Sequence, residues 1–273
     1  MKFKQILLTC CLLVLYLQSY TQDRSCDVDN IPFKVGETIS YNAVYSWGFI
    51  WVNAGEAYFS VKDTVYLGKP SIHYKSEGWS LKQYDWFFKV RDRFEAIVNP
   101  ITLQSKWFER DTREGGFETF NRYVFNDDRN EVEVISKTSK RPFKKEVLTI
   151  KPCVFDVLSA IYYCRTLTFE GLKSDETIPL TMAVDNEIFD LYIRYLGREV
   201  LKTHDGKKYR TIKFSAKLVE GTIFTGGEDL FVWVTDDLNR VPVLIEAKIL
   251  VGSVKAVLTK TQNLKYPVSS VLE

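Results

Sequence analysis

Most of this chain alternates between apolar and polar residues with a period of two, in short segments separated by turn-forming residues. Successive side chains of a β-strand point to opposite faces, so this period predicts strands that are buried on one side. The predicted strands are 37–47, 52–66, 71–80, 88–98, 102–111, 117–125, 131–136, 144–150, 178–184, 187–196, 209–219, 230–235, 243–250 and 255–261. No internal repeat or linker divides them. The sequence therefore predicts one continuous, mainly β, antiparallel architecture.

One segment, 153–167, breaks the strand pattern. Its apolar residues recur at spacings of three and four, which predicts one face of an α-helix of three to four turns. Pro152 suits the first turn of this helix, where its missing N–H costs nothing. A single helix among many strands usually packs on or in a curved sheet, and we expect that arrangement.

The polar residues of the helix suggest a buried network. Asp156, Ser159 and Tyr163 share the face opposite the apolar one, whereas Arg165 projects beside the apolar stripe. A guanidinium at that position must extend to solvent or find a partner inside. The candidate partners are Asp92, Arg93 and Arg240.

The first twenty-one residues have the pattern of a secretory signal. Lys2 and Lys4 precede an apolar run over 6–17, and small residues follow, which predicts cleavage before Gln22 and export to the periplasm or the outer envelope. The run is too short for a membrane span, which needs about 20 apolar residues. The residues before Cys26 are polar, which argues against a lipoprotein anchor. We therefore expect one exported domain over 22–273 without a transmembrane span.

Removing this segment changes the charge and the cysteine count. The 37 basic residues fall to 35 and balance the 35 acidic ones, so the electrostatic attraction that drives nucleic-acid binding is missing. Of the three remaining cysteines, Cys153 and Cys164 would lie about 16 Å apart along one helix, too far for a disulfide. Any disulfide must then include Cys26, and three unpaired thiols are the favoured expectation.

A search for catalytic motifs finds none. There is no nucleophile elbow, zinc-protease motif or Ser-Lys motif, and the two histidines, His73 and His204, fit a strand and a hairpin tip. No Cys or His pair has metal-ligand spacing, so we expect no metal and no cofactor. Asp92 and Glu95 flank Arg93, and cross-strand ion pairing is the simpler interpretation of these charges.

Large aromatic residues are concentrated at two places, around the first hairpin and around 84–88. Trp47, Trp51 and Trp86 are the tryptophans of these groups. Aromatic side chains at the mouth of a sheet can hold a sugar ring or an acyl chain, but we expect most of these to belong to the core. The segment from Trp47 to Trp51 is too apolar for an ordinary exposed turn, which suggests a covered or partner-facing loop.

Five segments carry a family resemblance. They are Gly36-Glu37-Thr38-Ile39-Ser40-Tyr41, Trp47 followed by Asn53-Ala54-Gly55-Glu56-Ala57, Val90-Arg91-Asp92-Arg93-Phe94-Glu95, the helix Asp156-Val157-Leu158-Ser159-Ala160-Ile161-Tyr162-Tyr163-Cys164-Arg165, and Trp233-Val234-Thr235-Asp236-Asp237 with Arg240 and Pro242. Together and in this order they resemble the domain of unknown function 3108 family of exported bacterial proteins. The resemblance implies a curved sheet or open barrel around one helix, and it supplies no catalytic residues.

Two classes of function are compatible with these features. The favoured hypothesis is a non-catalytic envelope protein that binds or carries a lipid or glycolipid, or assists envelope assembly. In it, Asp92, Arg93, Asp156, Ser159, Tyr163 and Arg165 form the polar floor of a cleft walled by Trp47, Trp51 and Trp86. Alternatively, the polar network only fixes the helix in the sheet.

The competing hypothesis is a glycan-active hydrolase with an unrecognised carboxylate pair. A continuous apolar cavity would favour a carrier, and two carboxylates about 5 to 9.5 Å apart would favour hydrolysis. A flat exposed aromatic patch would instead favour a structural partner in an envelope complex.

Overall fold

The computed structural model describes residues 28–218, 227–249 and 252–272, so the predicted signal 1–21 and Cys26 lie outside the described residues. The described part contains one α-helix, α1 (Val157–Cys164), and sixteen strands. The strands are β1 (Thr38–Trp47), β2 (Ile50–Tyr66), β3 (Lys69–Ser80), β4 (Val90–Val98), β5 (Ser105–Glu114), β6 (Phe117–Asn126), β7 (Glu131–Thr138), β8 (Lys144–Thr149), β9 (Val154–Phe155), β10 (Thr177–Val184), β11 (Glu187–Lys202), β12 (Lys208–Leu218), β13 (Gly227–Thr235), β14 (Pro242–Lys248), β15 (Ser253–Gln262) and β16 (Val271–Leu272).

All sixteen strands belong to one sheet, which confirms the predicted fold class. The hydrogen-bonded order is β8-β7-β6-β5-β4-β3-β2-β1-β15-β14-β13-β12-β11-β10-β9, with β16 added to β12. Every pairing is antiparallel except that of β9 with β10. Each of the fourteen predicted strands corresponds to an observed one, and the two strands that were not predicted, β9 and β16, are only two residues long.

The sheet curves strongly although it does not close. Its two edge strands, β8 and β9, are separated in sequence only by residues 150–153, a stretch that spans less than about 18 Å even when extended. The sheet must therefore bend round until its edges approach each other. This is the curved, barrel-like arrangement that the sequence predicts.

The turn between β10 and β11 ties the two halves of the curved sheet together. Asp185 and Asn186 both have positive φ, as the favoured two-residue hairpin turn requires. Asp185 accepts a hydrogen bond from Arg110 of β5 at 2.6 Å, and the Asn186 amide donates to Ser136 of β7 at 2.7 Å and to Glu146 of β8 at 2.9 Å. Residues from β10–β11 thus contact strands at the opposite edge of the sheet.

Helix α1 fills the space enclosed by the two halves. Leu158 and Tyr162 pack in a core with residues of β2 to β8, whereas Ala160 packs in a second core with residues of β10 to β14. The helix is shorter than predicted, because Val154 and Phe155 pair with β10 as a strand. Pro152 therefore precedes a strand rather than the first helical turn, and that expectation is wrong.

The described cysteines differ in state. Cys153 is disulfide-bonded, so the expectation of unpaired thiols is wrong for this residue. Cys164 is free, and burial of its thiol raises its pKa to about 12. The predicted involvement of Cys26 concerns a residue outside the described part of the chain.

Within the described ranges, no helix has the length and apolar character needed to cross a membrane.

Candidate functional site

A cleft of about 500 Å³ lies where β3, β4 and β5 meet the loop 81–89. Its lining combines one aromatic side chain with side chains of both charges. The lining residues are Glu77, Gly78, Trp79, Ser80, Leu81, Lys82, Arg91, Asp92, Arg93, Asp111 and Arg113. Two of the predicted site residues, Asp92 and Arg93, therefore belong to this cleft.

The loop at the edge of the cleft is held by a network of three polar side chains. Ser80 donates to Asp85 at 2.5 Å and accepts from the backbone N–H of Val90 at 2.9 Å, while Arg91 contacts Asp85 at 2.6 Å. The hydrogen bonds from Arg91 and Ser80 lower the pKa of Asp85. This network fixes where the loop leaves β3 and enters β4.

A glycine places β3 against β2 beside the cleft. Gly55 pairs with Ser80, and a Cβ atom at Gly55 would lie 2.5 Å from the carbonyl oxygen of Trp79. The neighbouring residue, Ala54, is the extra residue of a β-bulge, and its carbonyl accepts the N–H of Leu81 at 2.9 Å. The small residues of the Asn53-Ala54-Gly55 segment therefore set the position of Trp79 and of the loop.

The arginines of the cleft differ in how firmly they are held. Arg93 bridges Glu109 at 3.0 Å and lies 3.8 Å from Asp111, so it is one member of a cross-strand charge network. This agrees with the predicted ion pairing. Arg113 is 62% exposed and approaches its carboxylate partners, Asp111 and Glu118, only to 3.9 Å. Of the three arginines of the cleft, it is the one held least firmly.

Asp92 is the acidic group of the cleft with the most altered chemistry. Partial burial and the nearby Glu114 carboxylate raise the pKa of Asp92 to about 7. The backbone N–H of Arg113 donates to the Asp92 carboxylate at 3.2 Å and opposes this rise. At neutral pH the Asp92 carboxyl group is therefore partly protonated.

Exposed aromatic side chains surround this end of the sheet, and we call them the aromatic rim. They lie at four connections between consecutive strands, β1–β2, β3–β4, β5–β6 and β7–β8. We call each of these connections, with the strand residues that flank it, a joint. The aromatic rim consists of Trp47, Phe49, Trp86, Phe87, Phe88, Phe117 and Phe143. Trp86 and Phe87 are 83% and 80% exposed, and Phe49 is fully exposed. The prediction that these aromatics are mostly core is wrong for the rim.

The three predicted tryptophans are not equivalent. Trp47 and Trp86 belong to the rim, and Trp86 is in the loop that borders the cleft without lining it. Trp51 is partly covered, since His204 from the β11–β12 hairpin stacks on it at 5.0 Å and the Lys255 ammonium lies 5.2 Å from its ring centre.

Asp156 and Ser159 lie in the interior, away from solvent. Asp156 caps the N-terminus of α1 by accepting the N–H groups of Leu158 at 2.8 Å and Ser159 at 2.9 Å. Its second oxygen accepts hydrogen bonds from the hydroxyls of Ser105 and Ser159, both at 2.6 Å. Burial raises the pKa of Asp156 although these hydrogen bonds oppose the rise. The group anchors the helix to β5.

Tyr163, the third residue of the predicted polar face, packs with apolar neighbours. Its ring stacks on Phe155 at 4.4 Å and adjoins the second core. Its described contacts hold this residue of α1 against Phe155 of β9, apart from the residues that line the cleft.

Arg165 forms a separate buried cluster. Its guanidinium binds both carboxylate oxygens of Glu37, at 2.5 and 3.1 Å, and donates to the Asn239 carbonyl at 2.9 Å. The predicted partners Asp92, Arg93 and Arg240 are wrong, because Glu37 takes this place. Burial alone would lower the pKa of Arg165, but the ion pair raises it.

The comparisons with known proteins agree with this architecture. Residues 39–259 match the family described as "Protein of unknown function (DUF3108)". The chain belongs to the DUF3108 family. No curated protein matches the sequence.

Among solved structures, this DUF3108 chain is similar to a beta-barrel-like protein of domain of unknown function DUF1849 from Brucella abortus. The TM-score is 0.54 at 8% identity, and the match covers 85% of this chain and 100% of that one. At this identity the likeness concerns the fold alone.

The segments that resemble the DUF3108 family meet in the interior. Glu37 pairs with Arg165, and the Tyr41 hydroxyl donates to the Pro242 carbonyl at 3.0 Å. Arg165 also reaches Asn239, which follows the Trp233–Asp237 segment. Three separated segments of the family pattern are therefore joined by one polar cluster.

The sequence analysis did not identify several residues of the cleft and of the buried Arg165 cluster. Glu37 was interpreted only as the start of a strand, although an isolated Arg165 on an apolar helix calls for an acidic partner within the family segments. Arg113 and Glu114 carry no sequence signal, because their proximity to Asp92 depends on the register between β4 and β5. The described residues contain no group of three or more His, Cys, Asp or Glu arranged to hold a metal ion.

Proposed function

We propose that this protein is a non-catalytic, exported protein of the bacterial envelope that binds the headgroup of an amphiphile, such as a lipid or glycolipid. The observation that carries the proposal is the polar cleft between β3, β4 and β5, which lies directly beside the exposed aromatic loop 81–89. An amphiphile needs both kinds of surface in contact with each other.

The cleft has suitable chemistry for a headgroup. Its volume of about 500 Å³ falls within the usual range of small-molecule sites. Arg113 offers a planar set of donors for a phosphate or carboxylate, and Trp79 offers a ring face on which a sugar can pack. The charged lining supports headgroup binding and does not form the continuous apolar cavity expected of an enclosed acyl-chain carrier.

The adjacent loop supplies an apolar surface for the chains. Trp86, Phe87 and Phe88 are exposed within six residues of Lys82, which lines the cleft. Their burial against acyl chains would release water from a large apolar area. In this arrangement the headgroup enters the cleft and the chains lie along the loop.

Two features support the exported location. The first is the N-terminal pattern of two lysines, an apolar run and small residues. The second is the disulfide at Cys153, because structural disulfides persist mainly in oxidising compartments.

The hydrolase alternative is less well supported. Asp92 and Glu114 are the candidate carboxylate pair, and the Glu114 carboxylate helps to raise the pKa of Asp92. Glycosidases hold their two carboxyl groups about 5 to 9.5 Å apart, with the substrate or a water molecule between them. Asp92 lines the cleft whereas Glu114 does not, so the two carboxyl groups do not face each other across it.

Native mass spectrometry of the protein purified from its own envelope tests the proposal. We expect a retained amphiphile in the wild type and much less in Arg113→Gln. The matched control is Arg129→Gln, which removes an arginine of similar exposure, 70%, from the β6–β7 turn. Wild-type protein without bound amphiphile, or equal loss in both variants, would refute the assignment of the cleft.

A further inference from the structure

The aromatic rim has a second feature that the cleft does not explain, which is its continuity. Leu81 is hydrogen-bonded to Ala54, so the loop 81–89 adjoins the start of β2. Phe88 packs directly on the β5–β6 turn, where a Cβ at Gly115 would lie 2.3 Å from the Phe88 ring. The β3–β4 loop is therefore in contact with the β5–β6 turn and with the part of β2 that follows the β1–β2 joint.

The fourth joint is connected in the same way. The N–H of Ser139 donates to the Glu118 carbonyl at 2.9 Å, and the Lys140 ammonium lies 5.8 Å from the centre of the Phe117 ring. The four joints thus form one continuous edge of the molecule. In the described part of the chain, every exposed Trp and Phe side chain is located at this edge.

The charge of this edge differs from that of the opposite one. The loops 81–89 and 139–143 contain four basic residues and a single acidic one, Asp85. The turns at the other end of the same strands, 67–68, 99–104 and 127–130, contain one basic and two acidic residues. Since basic and acidic residues are nearly equal over the chain, 37 against 35, the positive charge is concentrated where the aromatic side chains are exposed.

We propose that the aromatic rim docks on the surface of an anionic lipid bilayer. Tryptophan favours the membrane interface, where its ring is partly apolar and its N–H remains hydrated, and phenylalanine side chains enter the adjacent acyl region. Lysine and arginine near the surface are attracted by anionic headgroups. The rim and the basic residues of the loops 81–89 and 139–143 combine these residue types on one curved edge, which lacks the balanced charge of the remaining surface.

Bilayer docking goes beyond the headgroup site and does not depend on it. The two share the loop 81–89, but the cleft otherwise lies between β3, β4 and β5, whereas the rim extends over the tips of four joints. A variant can therefore lose one property and keep the other.

The test is co-sedimentation of the purified full chain with vesicles of phosphatidylglycerol and phosphatidylethanolamine, compared with phosphatidylcholine vesicles. All variants carry the same N-terminal segment, so a difference between them reports on the rim. We expect binding to the anionic vesicles that weakens as salt is raised from 50 to 500 mM.

One double variant of the rim, two single variants of the basic loop 139–143 and one control separate the contributions. We expect Trp86→Ser with Phe87→Ser to reduce partitioning at least tenfold. Lys140→Gln and Arg141→Gln should each reduce it about fivefold on anionic vesicles only. The control is Leu67→Ser with Ile101→Ser, which removes side chains that are 83% and 75% exposed at the opposite end and should leave binding unchanged.

Several results would overturn the proposal. They are absence of wild-type binding to anionic vesicles, equal loss in the opposite-end control, and binding that is indifferent to lipid charge. A fourth is a rim-dependent dimer, seen by light scattering, in a protein that does not bind vesicles, because the rim would then be covered by a second copy. Arg113→Gln should keep vesicle binding, so failure of the cleft assignment is distinguishable from failure of bilayer docking.

Discussion

The buried ion pair between Glu37 and Arg165 permits the most direct test of how the fold is held together. Their side chains are 0% and 2% exposed. The pair connects the residue before β1 with the residue after α1, which are 128 positions apart in the sequence. Replacing Arg165 by Met fills much of the same volume but leaves the Glu37 carboxylate buried without its partner.

The expected cost follows from this burial. Removing one member of a buried ion pair destabilises a protein by about 3–5 kcal/mol, because the remaining charge is left uncompensated. At about 2–4 °C per kcal/mol for a chain of this size, Arg165→Met should lower the melting temperature by roughly 6–20 °C. Arg165→Lys keeps the charge but loses the bidentate contact with Glu37, and we expect a smaller loss of stability than for Arg165→Met.

The double variant Glu37→Leu with Arg165→Met removes both charges. Only the Asn239 carbonyl then lacks its buried donor, which costs about 1–3 kcal/mol, so the double variant should be more stable than Arg165→Met alone. Urea unfolding followed by tryptophan fluorescence and by circular dichroism gives the free energies of unfolding. A loss below about 1 kcal/mol for Arg165→Met, or a double variant whose loss equals the sum of the single losses, would show that the pair is not coupled as described.

Three further predictions concern the helix cap, the strand contact and the carboxyl pair. Asp156→Ala should lower the free energy of unfolding by about 1–3 kcal/mol, because it removes the helix cap and buried hydrogen bonds. Asp156→Asn can still cap the helix and should lose less stability. Equal losses in urea unfolding would contradict this. Gly55→Ala should lower the free energy of unfolding by about 1–3 kcal/mol, because its Cβ would meet a backbone oxygen at 2.5 Å. Gly78→Ala is the control: its Cβ would have its nearest contact at 3.8 Å, and we expect a change of less than about 1 kcal/mol. Similar melting temperatures for the two variants would argue against the close contact at Gly55. Folding raises the pKa of Asp92 from 3.8 to about 7, so the contribution of Asp92 to stability is present below about pH 4 and is lost as the pH rises through 7. Asp92→Asn should therefore flatten this part of the curve of unfolding free energy against pH. An unchanged slope would exclude Asp92 as its source.

Much of the fold follows from local patterns. The fourteen longer strands were predictable because alternation along a strand records which face is buried, and neighbouring residues are enough to reveal it. The two short strands β9 and β16 contain too few residues for a period to be visible. Val154 and Phe155 continue the apolar spacing of α1, so the sequence cannot separate the end of a strand from the start of a helix at this place.

The candidate site was less predictable, since its members are far apart along the chain. Asp92 and Arg93 were singled out from their charges, but Arg113 and Glu114 join them only through the β4–β5 register. Arg165 was correctly identified as a cation that needs a partner or an exit to solvent, and the partner was wrong. Glu37 is the partner because the tertiary fold places the residue before β1 beside the end of the helix. Local spacing in the sequence does not encode this proximity.

The sequence by itself thus determined a mainly β chain with one helix, its membership of a family, and the concentration of aromatic residues near two joints. The tertiary structure decided which of these aromatic residues are exposed, which charges are paired and where the cleft lies. The physical reason is that periodicity depends on the immediate neighbours of a residue. Exposure and pairing depend on strand register and sheet curvature, which place residues from distant segments side by side.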